Sequence, residues 1–222
     1  SIEDAEKSLY GLDSVISGTI KITVPEDFEI FLLSSCIQTL CENYPDLKIV
    51  IKSTNDVVDL IGEGFDFAVR ICPLEESNLK VRTIGYIKLA TVVSKQYLDK
   101  IELYSPSDLV NVRSIGLISN KPYQVWSLMK DKKKEVVKTQ LTVETNQITS
   151  VYKLTLSGAG VSILPTFLCQ EDINAGRLVR VLQEWEYMEV PVSLVSPLST
   201  INSVRLKVVS NEIVNALRSA LN

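Results

Sequence analysis

The stretch that most constrains the fold is the run from Asn55 to Ile71, N-D-V-V-D-L-I-G-E-G-F-D-F-A-V-R-I. Val57, Leu60 and Ile61 recur at helical spacing. Gly62 and Gly64 stand where a helix usually ends in a left-handed residue. Phe65, Phe67 and Val69 then alternate with Asp66 and Ala68 at strand spacing, and a cation, Arg70, follows. The spacing predicts a short amphipathic helix, a glycine stop and a buried strand.

The flanking segments extend that pattern. Thr19 to Val24 reads as a strand ended by Pro25, and a helix is expected from about Glu29 to Asn43. Tyr44-Pro45-Asp46 is a turn, because proline keeps its predecessor out of the helical region. Leu47 to Ile51 is the next strand. Three strands separated by helices predict a β-α-β-α-β block with a parallel sheet and right-handed crossovers. A second block follows: an apolar strand from Lys88 to Ser94, a helix start at Ser105-Pro106, a strand from Arg113 to Ile118, and a hairpin from Val125–Met129 and Val136–Val143. The lysine-rich tip of that hairpin, Lys130 to Lys134, reads as a solvated turn. A helix runs from Asn146 to Leu156, and Ser157 to Pro165 turns into a strand. There Gly158 is expected as a left-handed helix end and Gly160 as a tight turn. A short helix from Thr166 to Ile173, strands at Leu178–Leu182 and Val192–Val195, and a last helix from Ser203 to Leu221 complete the order. That last helix lacks a sheet of its own. The economical arrangement is α/β with two Rossmann-like lobes joined by two crossover strands. The first lobe takes residues 17–92 and 196–222, and residues 93–195 are inserted as the second.

Composition removes several functions. The 222 residues carry a formal charge of -4, whereas nucleic-acid binders usually present a basic face to the phosphates. There is no histidine, so neither Ser-His-Asp nor Cys-His chemistry can be assembled. Cys36, Cys41, Cys72 and Cys169 form no C-x-x-C pair, so neither a metal site nor a cofactor is expected. Cys36 and Cys41 read as small hydrophobes on an apolar helix face. Unpatterned thiols fit a reducing cytoplasm, and no apolar run approaches the roughly 20 residues that span a bilayer.

Four motifs in order resemble the effector-binding domain of LysR-type transcriptional regulators, a fold like the type-2 periplasmic binding proteins. They are Gly18-Thr19-Ile20-Lys21-Ile22, Tyr44-Pro45-Asp46-Leu47-Lys48-Ile49, the Asp59 to Arg70 run, and Leu156 to Pro165; Ala175 to Leu182 adds a fifth stretch. The resemblance implies a small-molecule effector held in an interlobe cleft, a cytoplasmic homodimer or tetramer, and DNA bound only through an N-terminal domain absent from this chain. Residues 1–16, with Ile2, Leu9 and Ile16 at one heptad position, then read as the end of a dimerising linker helix. On pattern alone they equally suit an ordinary surface helix. The alternative is a solute-binding protein of the same fold without a DNA-binding domain. An enzyme is not expected.

In open α/β sheets, ligands sit beyond the carboxyl ends of the strands. That rule selects Glu26, Asp27 and Phe28 after the first strand, Ser53, Thr54 and Asn55 after the second, and Arg70 and Ile71 after the third. In the second block it selects Asn120, Asn146, Gln147 and Thr149. Glu26 and Asp27 either cap their helix or compete with an anionic effector for its amides. Arg70 either pairs with Asp66, Glu63 or another carboxylate, or meets a ligand.

Overall fold

The computed structural model describes residues 16–71, 78–121, 123–200 and 203–221. The expected helix at the start of the chain and the loop around Pro73 lie outside them. The chain divides into two compact units, one from the segment up to Gly85 together with Val192–Ala220, the other from Tyr86–Pro191.

The first unit is built on a five-stranded sheet. Its strands are β1 (Gly18–Val24), β2 (Leu47–Ser53), β3 (Phe67–Ile71), β4 (Leu79–Ile87) and β12 (Val190–Pro197), in the order β2-β1-β3-β12-β4. β1 is parallel to both β2 and β3, and β12 runs antiparallel to β3. One sheet face carries Ile20, Ile22, Val24, Phe67 and Val69, all buried. Helix α6 (Val204–Leu221) buries Val209, Ile213 and Leu217. The opposite face carries Ala68 and Val195, buried with Leu60 and Phe65.

The first long helix begins three residues before its expected start. α1 (Glu26–Leu32) and α2 (Ser34–Asn43) are separated by one irregular residue, Leu33. Pro25 sits at the N-cap with an extended backbone, and Glu26, Asp27 and Glu29 crowd the first turn, where carboxylates suit the helix dipole. The expected helix between Asn55 and Ile61 does not form. The chain makes hydrogen-bonded turns from Leu60 to Gly64. Asp59 Oδ1 accepts the N–H groups of Ile61 and Gly62 at 3.1 and 2.9 Å, a local bond that competes with helix formation. Val57 and Ile61 are left 82% and 59% exposed. Gly64, at φ 69°, takes the left-handed position.

The second unit contains a three-stranded antiparallel sheet, β10-β5-β11, from β5 (Leu89–Ser94), β10 (Ser162–Pro165) and β11 (Leu178–Val181). A parallel pair, β6 (Ile115–Leu117) with β9 (Val143–Thr145), leads into α4 (Ile148–Leu156). Helices α3 (Lys95–Leu98) and α5 (Thr166–Asn174) complete it, with a 3-10 turn at Pro106–Asn111. That turn is closed by reciprocal Ser105–Asp108 capping. The hairpin turn is tighter than expected and its second strand ends earlier: β7 (Gln124–Lys130) and β8 (Lys133–Thr139) are joined by Asp131 and Lys132, both at positive φ, the geometry of a tight primed turn. Gly158 is left-handed at φ 87°. Gly160 serves differently: a Cβ there would stand 2.6 Å from the Arg113 carbonyl oxygen, so close backbone approach demands it. The α/β fold class matches the sequence-based expectation. Cys36 is buried as expected, but Cys41 is exposed.

Candidate functional site

At the carboxyl ends of the first unit's parallel strands, Arg70 is the principal feature. It is half-buried, and its guanidinium donates to Thr23 Oγ1 and to the Val69 carbonyl, both at 2.9 Å. Burial lowers its pKa from the ordinary arginine value, though an arginine stays charged. Neither carboxylate expected to pair with it does so. Asp66 turns to the β1 backbone, where its Oδ2 accepts the Lys21 N–H at 2.8 Å. Glu63 takes Lys52 at 2.6 Å. Among the described residues Arg70 therefore has no ion-pair partner. Thr23, fully buried beside it, is not singled out by the sequence; strand alternation alone cannot say which hydroxyl lies within reach of a guanidinium on the neighbouring strand, two residues beyond its register partner.

The other expected residues of this unit divide by position. Ser53 pairs in register with Val24, one place beyond Thr23, so its side chain leaves the other sheet face. Its Oγ is buried with no hydrogen-bond partner among the described residues. The Thr54 N–H donates to the Val24 carbonyl, and its Oγ1 accepts from the Asp56 N–H. Asn55 is exposed and Ile71 half-buried. Phe28 is wholly buried, Asp27 is 2% exposed and Glu26 is half-buried. Desolvation pushes the Asp27 carboxyl up to about 6, the N–H groups of Asp27 and Phe28 pull it partly back, and the charge of Glu26 raises it further. The Asp27 carboxyl thus faces the N–H groups that begin α1.

In the second unit, the parallel pair β6-β9 brings two of the expected segments together. Its register ends at Leu117 and Thr145, and the Ile118 N–H donates to the Thr145 carbonyl. Asn120 and Asn146, both exposed, follow these neighbouring strand ends. Gln147 is the N-cap of α4, its carbonyl accepting from Ser150 and Val151, and Thr149 is half-buried in the first turn. The buried thiols Cys36 and Cys169 are pushed up to about 11, chiefly by burial, which leaves them protonated and unreactive. No helix among the described residues is long and apolar enough to cross a membrane.

Comparison with known proteins agrees with this geometry. The family model described as LysR substrate binding domain matches residues 14–218. Among curated relatives, the HTH-type transcriptional regulator PtxR of Pseudomonas aeruginosa is 28% identical over 207 residues, covering 93% of this chain and 66% of that protein. An HTH-type transcriptional regulator of Haemophilus influenzae is 27% identical over 198 residues, covering 88% and 68%. The chain thus spans about two thirds of the length of these relatives. Among solved structures, the CrgA regulatory domain from Neisseria meningitidis superposes with a TM-score of 0.80 at 22% identity, covering 93% of this chain and all of that one. A variant AphB regulatory domain from Vibrio vulnificus gives 0.76 at 21%, covering 90% and 98%. With the family model spanning nearly its whole length, the chain belongs to the LysR substrate-binding domain family, the effector-binding domain of LysR-type transcriptional regulators.

Proposed function

We propose that this domain senses a small molecule bearing a hydrogen-bond-accepting or anionic group, held at the carboxyl end of β3 by Arg70. The observation that carries the reading is a half-buried guanidinium, held by Thr23, that faces no carboxylate among the described residues. A desolvated cation without a counter-charge is costly and gains most from an anionic partner. At the start of α1 the Asp27 carboxyl, drawn to the N–H groups of Asp27 and Phe28, competes with an anionic ligand for them. Thr54 and Asn55, which follow β2 at the same end of the sheet, are proposed to supply further polar contacts. Effector binding alters regulation only by its difference in affinity between conformations. The proposal includes a cytoplasmic homodimer or tetramer, to which Ile30 and Phe31 on α1, 54% and 37% exposed, would contribute apolar surface, and DNA binding through a separate N-terminal domain.

The test is a thermal-shift screen of this chain against small organic acids, amines and polyols, followed by calorimetry. A ligand at a hundred times its Kd stabilises the folded state by about 2.7 kcal/mol. Saturable one-to-one binding that Arg70→Gln weakens at least tenfold, with the circular-dichroism spectrum unchanged, is expected. A ligand whose affinity is indifferent to Arg70→Gln removes Arg70 from the site and the reading with it.

A further inference from the structure

The first unit contains a cavity of about 310 Å³ at the other end of the sheet from Arg70, where β3 begins. Its apolar floor is Phe67, Leu194 and Leu206, which are 2%, 8% and 8% exposed. Three cations stand around it: Lys80 and Arg82 from β4 and Lys207 from α6, with Asp66 as the one carboxylate of the lining. That carboxylate is engaged by the Lys21 backbone. None of the three cations is in an ion pair among the described residues.

Lys80, Arg82 and Lys207 are all exposed, at the mouth of the cavity. Side chains two apart on a strand share a face, so Lys80 and Arg82 share that of Ile84. Ile84 is 3% exposed, and its carbonyl accepts from Arg218 of α6. This edge strand thus turns two exposed cations to the side of the sheet that holds the cavity. The cavity opens under the first turns of α6, at Leu206, Lys207 and Ser210. Its volume lies at the small end of the roughly 300–1,000 Å³ range of ligand clefts.

We propose that this cavity is a second binding site, for a small amphipathic organic anion: an aliphatic or aromatic body on Phe67, Leu194 and Leu206, with its carboxylate or phosphate among Lys80, Arg82 and Lys207. An apolar floor with a few convergent charged groups is the pattern of a small-molecule site. The excess of positive charge rejects cations and, in an edge position open to water, gives affinity that falls with added salt. The site is independent of the one assigned to Arg70.

The experiment titrates hexanoate, phenyl phosphate and 1-hexanol into the isotopically labelled chain and follows backbone amide resonances. Saturable binding of hexanoate or phenyl phosphate is expected, with the largest shifts in β4 and the start of α6, and with 1-hexanol binding roughly tenfold more weakly. The double variant Lys80→Gln/Arg82→Gln weakens the anion at least tenfold, Ser210→Phe abolishes binding by filling the space, and Arg70→Gln leaves it unchanged. Should the double variant lose its native circular-dichroism spectrum, Lys207→Gln, on the exposed face of α6, decides: an anion affinity reduced severalfold supports the site, and an unchanged one overturns it. Absence of saturable binding by either anion, equal binding of 1-hexanol, or an anion lost in Arg70→Gln but retained in Lys80→Gln/Arg82→Gln each overturns the proposal. The last of these outcomes leaves the Arg70 site standing, so the two readings fail separately.

Discussion

Replacing Asp27 by asparagine tests how far the start of α1 is shaped by a buried charge. The carboxyl is 2% exposed, and burial pushes it from 3.8 up to about 6. The folded state therefore holds this proton to higher pH than the unfolded chain does. Well below pH 4 the group is neutral in both states and costs nothing. Between about pH 4 and 6 unfolding releases a proton, so stability falls as pH rises, and above pH 6 the ionised carboxylate carries its full penalty. At about 1.4 kcal/mol per pKa unit, a rise from 3.8 to about 6 corresponds to a penalty of about 3 kcal/mol. Asparagine keeps an acceptor for the Asp27 and Phe28 N–H groups and has no charge to bury. Urea unfolding of both proteins from pH 4 to 8 should give a stability difference that starts near a constant offset at pH 4. It should then grow in favour of Asp27→Asn by about 2–3 kcal/mol by pH 7 and flatten beyond. A difference independent of pH, or one that grows toward acid, would refute the assignment of a destabilising buried carboxyl.

Other outcomes follow from particular contacts. In the second unit the Asp172 carboxylate is 3% exposed and accepts from the Tyr152 hydroxyl and the Arg177 guanidinium. Burial works to raise its pKa, but those two donors hold it below the ordinary value. Asp172→Asn should cost about 1–3 kcal/mol at pH 7, and the loss should shrink as pH falls below the usual carboxylate range, read from urea midpoints at pH 7 and pH 3. Gly160→Ala should cost about 1–3 kcal/mol, because the new Cβ meets the Arg113 carbonyl oxygen at 2.6 Å; amide exchange should show the loosening near Ser114 and Val161, which are bridged there. Lys132→Gly, at φ 67° in the β7-β8 turn, should stabilise by about 0.5–1 kcal/mol, relief of left-handed strain exceeding the added entropy of the unfolded chain; a lowered thermal midpoint would contradict the turn geometry.

The element order was legible because each piece carries its own local signal. Thr19 to Val24, Leu47 to Ile51 and Phe67 to Val69 have strand spacing and close breakers, and the structure places all three in parallel register. The rule for strand carboxyl ends brought attention to Arg70 and to the two loops that follow β6 and β9. Thr23, Lys80 and Arg82 escaped it. Lys80 and Arg82 alternate with Leu79 and Val81 as the outer face of any edge strand would, so the pattern gives no sign that they stand on the side of α6.

Sequence by itself determined the α/β character of this chain, the position of its turns and the motif set that marks its family, because periodicity and turn chemistry act over a few residues. Tertiary structure decided whether apolar positions at helical spacing became a helix or a turn. Asp59 captures two N–H groups between Asn55 and Gly64, and of the three apolar positions at helical spacing Leu60 is buried while Val57 and Ile61 stay exposed. It also decided charge pairing. Asp66 reaches the β1 backbone and Glu63 reaches Lys52, so Arg70 keeps its charge available, an outcome set by distances between strands far apart in the chain.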